Sequence, residues 1–262
     1  MTAVSTDAVT VVRQESILTI RFNAQERLNA VTTDMLRTAA DALESAARDR
    51  SVRVVVLTGT GRAFCSGADI SGPSNEDSSF PDMSLVDAAN RLTAALVGLS
   101  KPVVCALNGV AAGLGVSIAL GCDILVACED AYFLLAFTKV GLMPDGGATL
   151  LVAASLGRAR ALQLALLAER LSMAEAVAAG LVWSVHDRDS FADAVDNLAA
   201  SLARGATAAL GRTKRAINDA SIPGLATALR AEREGQSDLV AGPEYVEGVD
   251  AFLNRRDPRF GC

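Results

Sequence analysis

The hydrophobic pattern splits the chain in two: short apolar runs broken by glycine and polar turns come first, and a mostly helical period runs from Leu150 onward. Val9 to Val12 and Ile17 to Phe22 predict two strands of a hairpin, with Arg13-Gln14-Glu15-Ser16 as the turn. Asn23 to Asn29 is a polar loop. Thr32 or Thr33 can cap a helix that runs to about Asp49, with Met35, Leu36, Ala39, Ala40 and Leu43 on its inner face. Val52 to Thr58 predicts a buried strand, broken by Gly59-Thr60-Gly61. Ser71 to Ser84 is rich in Ser, Pro, Gly and Asp and predicts a mobile loop. An amphipathic helix follows over Leu85 to Leu99, stopped by Lys101-Pro102. Beyond Leu150 the period predicts helices over Leu150–Leu156, Arg158–Ala168, Ala174–Ala179, Phe191–Arg204, Ala206–Ala220 and Ile222–Leu239, with a last one from Gly242-Pro243 to Asn254.

The stretch from Val103 to Ala127, VVCALNGVAAGLGVSIALGCDILVA, carries the densest information. An apolar strand ends at Asn108-Gly109, small residues and Gly113 and Gly115 follow, then an apolar helical pattern, then a strand over Cys122 to Ala127. Strand, glycine turn and buried helix together aim free backbone N–H groups at a cavity, because the first N–H groups of a helix have no internal acceptor and carry the positive end of its dipole. Negative charge developing on a substrate oxygen would be stabilised there. The same glycines also serve close helix–strand packing. A second glycine loop, Cys65-Ser66-Gly67-Ala68-Asp69-Ile70, likewise follows a strand. Two such loops can each offer one N–H to a single carbonyl oxygen.

Composition narrows the class. With 262 residues, 51% of them hydrophobic, the chain can bury a sizeable core. A net charge of -6 argues against nucleic acid or an anionic membrane as the main partner. No apolar run reaches the roughly 18 residues a membrane span needs. The N-terminal residues show no basic region followed by an apolar core, and the five cysteines contain no CxxC pair. Free thiols in a reducing cytoplasm fit this best. The lone histidine, His186, lies in a polar segment that reads as a surface turn, and with no cysteine cluster no metal site is expected.

The motifs AFCSGADI, KPVVCALNGVAAGLGVSIALGCDILVA and FTKVGLMPDGGATLL, with the ending AFLNRRDPRF, closely resemble the crotonase superfamily, the enoyl-CoA hydratase/isomerase group. The resemblance covers nearly the whole chain, in order and spacing. It implies an α/β fold built as a spiral of ββα units over residues 1–195, with a C-terminal helical oligomerisation region over 196–262 that builds trimers or dimers of trimers. It implies an acyl-CoA thioester as substrate, with coenzyme A as part of that substrate and no separate cofactor. It implies an oxyanion hole made by the N–H groups of Ala68 and Leu114. By position, Ser66, Gly67, Ala68 and Ile70 match the loop that wraps the coenzyme, and Arg27 and Leu28 match an early loop near the nucleotide, with Arg27 a phosphate partner. Phe252 and Arg255 match C-terminal positions that reach a coenzyme end, often a neighbouring subunit's.

The departures from the family pattern direct the chemistry. The two glutamates with which related hydratases place a water would fall at Ser117 and Phe137. Serine is no unaided base at neutral pH, and phenylalanine has no acid–base function. Asp145, in GLMPDGG, matches the position where several relatives carry a catalytic aspartate. One carboxylate beside a polarised thioester can take a proton from carbon and return it elsewhere, which shifts a double bond. Burial by Phe137 and Leu142 would raise its pKa. The same aspartate is also a good N-cap for the helix after it. Ser117, in a faint nucleophile-elbow context with Gly113 and Gly115 close by, offers thioester hydrolysis, and a silent acyl-CoA binder is the remaining reading. Leu114, Phe137, Leu142 and the Ser71–Ser84 loop would shape the acyl pocket, which favours an apolar or aromatic acyl group.

Overall fold

The computed structural model describes residues 7–70 and 82–261. Two sheets organise it. The larger, six-stranded, has the order β1-β2-β3-β5-β7-β10, where β1 is Val9–Gln14, β2 Ile17–Phe22, β3 Val54–Gly59, β5 Val103–Leu107, β7 Ile124–Cys128 and β10 Ser184–His186. Only the β1–β2 hairpin is antiparallel; β2–β3, β3–β5, β5–β7 and β7–β10 all pair in parallel. The smaller, four-stranded, has the order β4-β6-β8-β9, with β4 Ala63–Cys65, β6 Val110–Ala112, β8 Tyr132–Leu134 and β9 Arg170–Ser172. Each turn of the chain adds a long strand to the first sheet and a short one to the second, and then a helix: β3, β4 and α2 (Ser84–Gly98), then β5, β6 and α3 (Leu114–Leu120). This is the α/β spiral of ββα units that the sequence predicts.

Strands β3 and β5 are buried along their whole length. That suits a parallel sheet covered on both faces, and it is why they read as unbroken apolar runs. Helix α1 (Thr33–Arg48) is capped by Thr32, whose hydroxyl accepts from Met35 N–H at 3.3 Å, and buries Met35, Leu36, Ala39, Ala40, Leu43 and Ala46. On the other face α7 (Arg188–Arg204) places Val195, Ala199 and Ala203 against Val54, Val56, Val104, Ala106 and Val126. The division expected at 195/196 falls inside this helix, which belongs to the spiral core on its packing.

The corner between the two sheets is fixed by two buried asparagines. Asn108 Nδ2 donates to the carbonyls of Gly61 and Ala63, both at 2.9 Å, while its Oδ1 accepts from Gly59 N–H at 3.0 Å. Asn29 Nδ2 donates to Thr60 and Ala63 carbonyls at 2.9 and 2.7 Å, and its Oδ1 accepts from Ala24 N–H. A side chain at Gly109 would stand 2.0 Å from the Arg62 carbonyl oxygen, so this crossing admits only glycine.

The sequence pattern marks the long elements well and the short strands poorly. The strand predicted over Cys122 to Ala127 begins at Ile124, because Cys122 and Asp123 turn out of α3, with Asp123 N–H bonded to Val103 O. The segment around His186 is a sheet strand rather than a surface turn: Ser184, Val185 and His186 pair with Val126, Ala127 and Cys128. Its polar residues are tolerated because it lies at the edge of the sheet. Of the loop predicted over Ser71 to Ser84, residues 71–81, with Glu76 and Asp77, lie outside the described residues; Asp82 turns the chain into α2 by accepting from Ser84 N–H at 2.8 Å. After α7 the chain is helical: α8 Thr207–Ser221, α9 Leu225–Val240 and α10 Pro243–Leu253. Among the described residues no helix is long and apolar enough to cross a membrane.

Candidate active site

The two glycine loops meet at the C-terminal ends of β4 and β6. After Cys65 the first loop lies beside Val31, whose N–H donates to Gly67 O at 2.8 Å and whose carbonyl accepts from Asp69 N–H at 3.0 Å. Strand alternation turns the Ala68 N–H, between these two bonds, away from Val31. The second loop passes through Gly113 and starts α3 at Leu114, whose N–H stands first in the helix and has no intrahelical acceptor. The loops touch through glycine. A side chain at Gly115 would lie 2.3 Å from the Cys65 carbonyl oxygen, and one at Gly113, where φ is 50°, would meet the Gly67 Cα at 3.7 Å. The peptides that carry the Ala68 and Leu114 N–H groups therefore lie side by side, an arrangement able to hold one carbonyl oxygen.

Asp145 sits over the start of α3. The Ser117 hydroxyl donates to its carbonyl oxygen at 2.6 Å, the next residue, Gly146, lies against Leu114 and Ser117, and Thr93 Oγ1 donates to Gly146 O at 2.8 Å. The Asp145 side chain is buried, with 4% of the residue exposed. Its Oδ2 accepts from Gln236 Nε2 at 2.8 Å; the same amide nitrogen donates to Met143 O at 2.9 Å. The Met143 carbonyl can only accept, so it fixes the orientation of the Gln236 amide and keeps a donor on Oδ2. Oδ1 has no partner among the described residues. Burial pushes the Asp145 pKa up to about 7; the Gln236 hydrogen bond pulls it down, and the Glu232 charge adds a further push upward.

Asp145 is not the helix cap that its sequence context allows. Helix α4 (Ala148–Leu156) has Gly147 at its N-cap. Its free N–H groups go instead to Glu232 of α9, which accepts from Gly147 N–H at 2.6 Å, from Thr149 N–H at 2.8 Å and from the Thr149 hydroxyl. The cap comes from far along the chain, and that leaves the Asp145 carboxyl for other work. Burial also pushes the Glu232 pKa upward. Glu232 and Gln236 carried no local signal: one turn apart on an amphipathic helix, they read as solvated positions, yet both are 1% exposed.

The other predicted residues divide by position. Phe137 is buried at the start of a 3-10 turn and Leu142 packs half-buried behind it, its N–H bonded to Phe137 O at 3.0 Å. Ser117 is fully buried with its hydroxyl spent on Asp145 O, and His186 pairs with Ser184 Oγ at 3.0 Å. Burial pushes the Cys65 thiol up to about 12, which makes it inert filling beside the first loop. Ser66 joins the two early segments: its N–H donates to Leu28 O and its hydroxyl to Arg27 O, at 3.1 and 3.2 Å. Arg27 forms an ion pair with Asp69 at 2.9 Å, so Asp69 orders the loop and the guanidinium is partly committed. Ile70 is half-buried at the end of the first loop. Phe252 and Arg255 are exposed at the end of α10, which packs on the 3-10 turn through Gly248, where a side chain would lie 2.5 Å from Val140. Within one chain, no backbone hydrogen bond among the described residues ties them to the two glycine loops.

Fold and site together have the form of a crotonase. The family model described as "Enoyl-CoA hydratase/isomerase" matches residues 12–262, and the chain belongs to that family of enzymes. It is 42% identical over 251 residues to the 1,2-epoxyphenylacetyl-CoA isomerase of Escherichia coli K12, covering 94% of this chain and 95% of the relative. It is 34% identical over 248 residues to the 2,3-dehydroadipyl-CoA hydratase of the same organism, covering 95% and 96%. The crystal structure of an enoyl-CoA hydratase from Mycobacterium avium subsp. paratuberculosis K-10 superposes with a TM-score of 0.91 at 45% identity, covering 97% of this chain and 99% of that one.

Proposed function

We propose that the protein isomerises an acyl-CoA thioester through an enolate, with Asp145 as the proton-transfer group. The observation that carries this reading is the buried carboxyl of Asp145, set over the start of α3 with its pKa pushed up to about 7. The Ala68 and Leu114 N–H groups receive the thioester oxygen, where charge accumulates as the carbon acid loses its proton; one such donor is worth ~3 kcal/mol of transition-state stabilisation. Because Oδ2 is held by Gln236, Oδ1 takes the proton. The carboxylic acid so formed returns it to another carbon of the delocalised enolate. One proton leaves and one arrives, a double bond moves, and no water is consumed. A carboxyl poised near pH 7 suits both halves of this exchange.

Support also comes from what stands at the two hydratase positions: Ser117, bonded to Asp145 O, and the buried Phe137. Neither can activate a water, and the Ser117 hydroxyl is spent on a backbone carbonyl rather than on a base that would make it a thioester nucleophile. Leu114, Phe137 and Leu142 favour an apolar or ring-bearing acyl group, and the isomerase relative acts by name on such a ring-derived thioester. The four buried free cysteines support a reducing compartment such as the cytoplasm. Assembly into trimers or dimers of trimers is supported by exposed apolar residues on the helical half and at Trp183, which is 63% exposed. The test is turnover of paired double-bond isomers of apolar and aromatic acyl-CoAs. Asp145→Asn is expected to lower kcat by 10²–10⁴, and Ser117→Ala to leave a working isomerase. Full turnover in Asp145→Asn, or abolition by Ser117→Ala of thioester hydrolysis, would overturn the reading.

A further inference from the structure

A cleft of about 590 Å³ lies between the first half of α8 and the segments that lead into β3 and β5, away from the two glycine loops. Arg50, Arg53, Lys101, Arg212 and Arg215 line it, and no acidic side chain does. That is a local concentration of positive charge in a chain of net charge -6. Two of these groups are fixed wall. Lys101 is buried, with Nζ donating to the carbonyls of Ala46 and Asp49, and Arg53 Nε donates to Thr207 Oγ1 at 3.0 Å. The side chains of Arg50, Arg212 and Arg215 have no ion-pair or hydrogen-bond partner among the described residues. Asp49, beside the cleft, is already engaged by Arg13 and Ser51, and Asp219 belongs to an adjoining groove shared with Arg215.

A second feature converges on the same place. Helix α8 is 15 residues long and its N-cap, Ala206, makes no side-chain cap bond. Thr207 and Ala208, the first residues of that helix, line the cleft. Unbonded N–H groups and the positive end of the helix dipole therefore face the same space as the three free guanidinium groups. Its position separates it from the thioester site. Val52 and Arg53 lead into β3, and Ser100 and Lys101 lead toward β5, so the cleft sits at the N-terminal edge of the large sheet. The glycine loops follow β4 and β6, beyond the opposite ends of β3 and β5, so the length of a six-residue strand, about 20 Å, lies between.

We propose that this cleft is a binding site for a small polyanion carrying at least two linked phosphate groups. Three unpaired guanidinium forks match a diphosphate in charge and in bidentate geometry, and the volume lies in the range of small-molecule pockets. The site is independent of the reaction proposed for Asp145. The test titrates the full-length protein with inorganic pyrophosphate and, separately, ADP at 0.15 M salt, by calorimetry. Saturable binding of one ligand per chain is expected, weakened at least tenfold in Arg212→Gln/Arg215→Gln and unchanged in Arg27→Gln and Asp145→Asn. ADP binding tighter than pyrophosphate supports a nucleoside diphosphate as occupant, and equal affinities support recognition of the diphosphate alone. The exposed positions of Arg212 and Arg215 allow the double variant to fold, which a matching thermal melt verifies. Absence of saturable binding, or loss of it in Arg27→Gln but not in the double variant, would overturn the proposal. So would a double variant that binds no pyrophosphate differently from the parent but changes oligomeric mass in light scattering; the cleft would then be an interface between copies.

Discussion

At the scale of single residues, the buried Asp145 carboxyl costs stability. It keeps its proton to about pH 7 in the folded chain, whereas the unfolded chain loses it near 3.8. Between those values the folded state binds more protons than the unfolded state, so stability falls as pH rises through that window, and the full cost is present above about pH 7. The difference corresponds to about 4 kcal/mol as an order of magnitude. Asp145→Asn escapes it. The variant is expected to melt higher than the parent at pH 8, with the gap closing toward pH 4, and thermal melts across that range check it. Gln236 tunes the same group from the other side. Removing its N–H from Oδ2 in Gln236→Met takes away the one interaction that lowers the Asp145 pKa. The acid limb of kcat/KM, expected near pH 7 in the parent, should move to higher pH in that variant; a limb that stays in place would show that another group sets it.

Among the elements, the contact between the two loops depends on glycine where backbone meets backbone. Gly115→Ala would drive a methyl group to 2.3 Å from the Cys65 carbonyl oxygen. The loops must part, at a cost of about 1–3 kcal/mol, and the Ala68 and Leu114 N–H groups part with them. Denaturant unfolding and kcat measured on the same variant should both fall. Much of this level was legible in the sequence. The glycines, the long strands β3 and β5 and the apolar face of α1 are local patterns, and they predict the elements that form. The three-residue strands β4, β6, β8, β9 and β10 were not legible, because three residues carry too little periodicity and their pairing is decided by partners far along the chain. Asp145 was legible as a candidate but with two roles open. Its local context also fits a helix cap, and only the arrival of Glu232 from α9 takes that role away from it.

Over the whole molecule, the C-terminal helices, expected from the sequence to serve oligomerisation, reach into the candidate site. Helix α9 supplies Gln236 to the carboxyl and Glu232 to the start of α4, so the spiral and the helical half complete one site between them. Glu232→Ala would leave the Gly147 and Thr149 donors without a partner in a buried setting, and a loss of about 2–4 kcal/mol is expected from denaturant unfolding. Activity should fall with it, since the loop that carries Asp145 is held at its far end by that cap. Assembly into trimers would cover exposed Trp183, Val246 and Phe252, and sedimentation velocity should report a species several times the 27.1 kDa chain mass.

In the proposed reaction Asp145 removes a proton from carbon beside a polarised thioester. The most direct test of this step is incubation of the protein with apolar and aromatic acyl-CoAs in deuterium oxide, following label uptake at the carbons near the thioester by mass spectrometry. Enolate chemistry at Asp145 predicts uptake at the α and γ positions by the parent and by Ser117→Ala, and none by Asp145→Asn. Uptake undiminished in Asp145→Asn, or none by the parent from any acyl-CoA it binds, would contradict it.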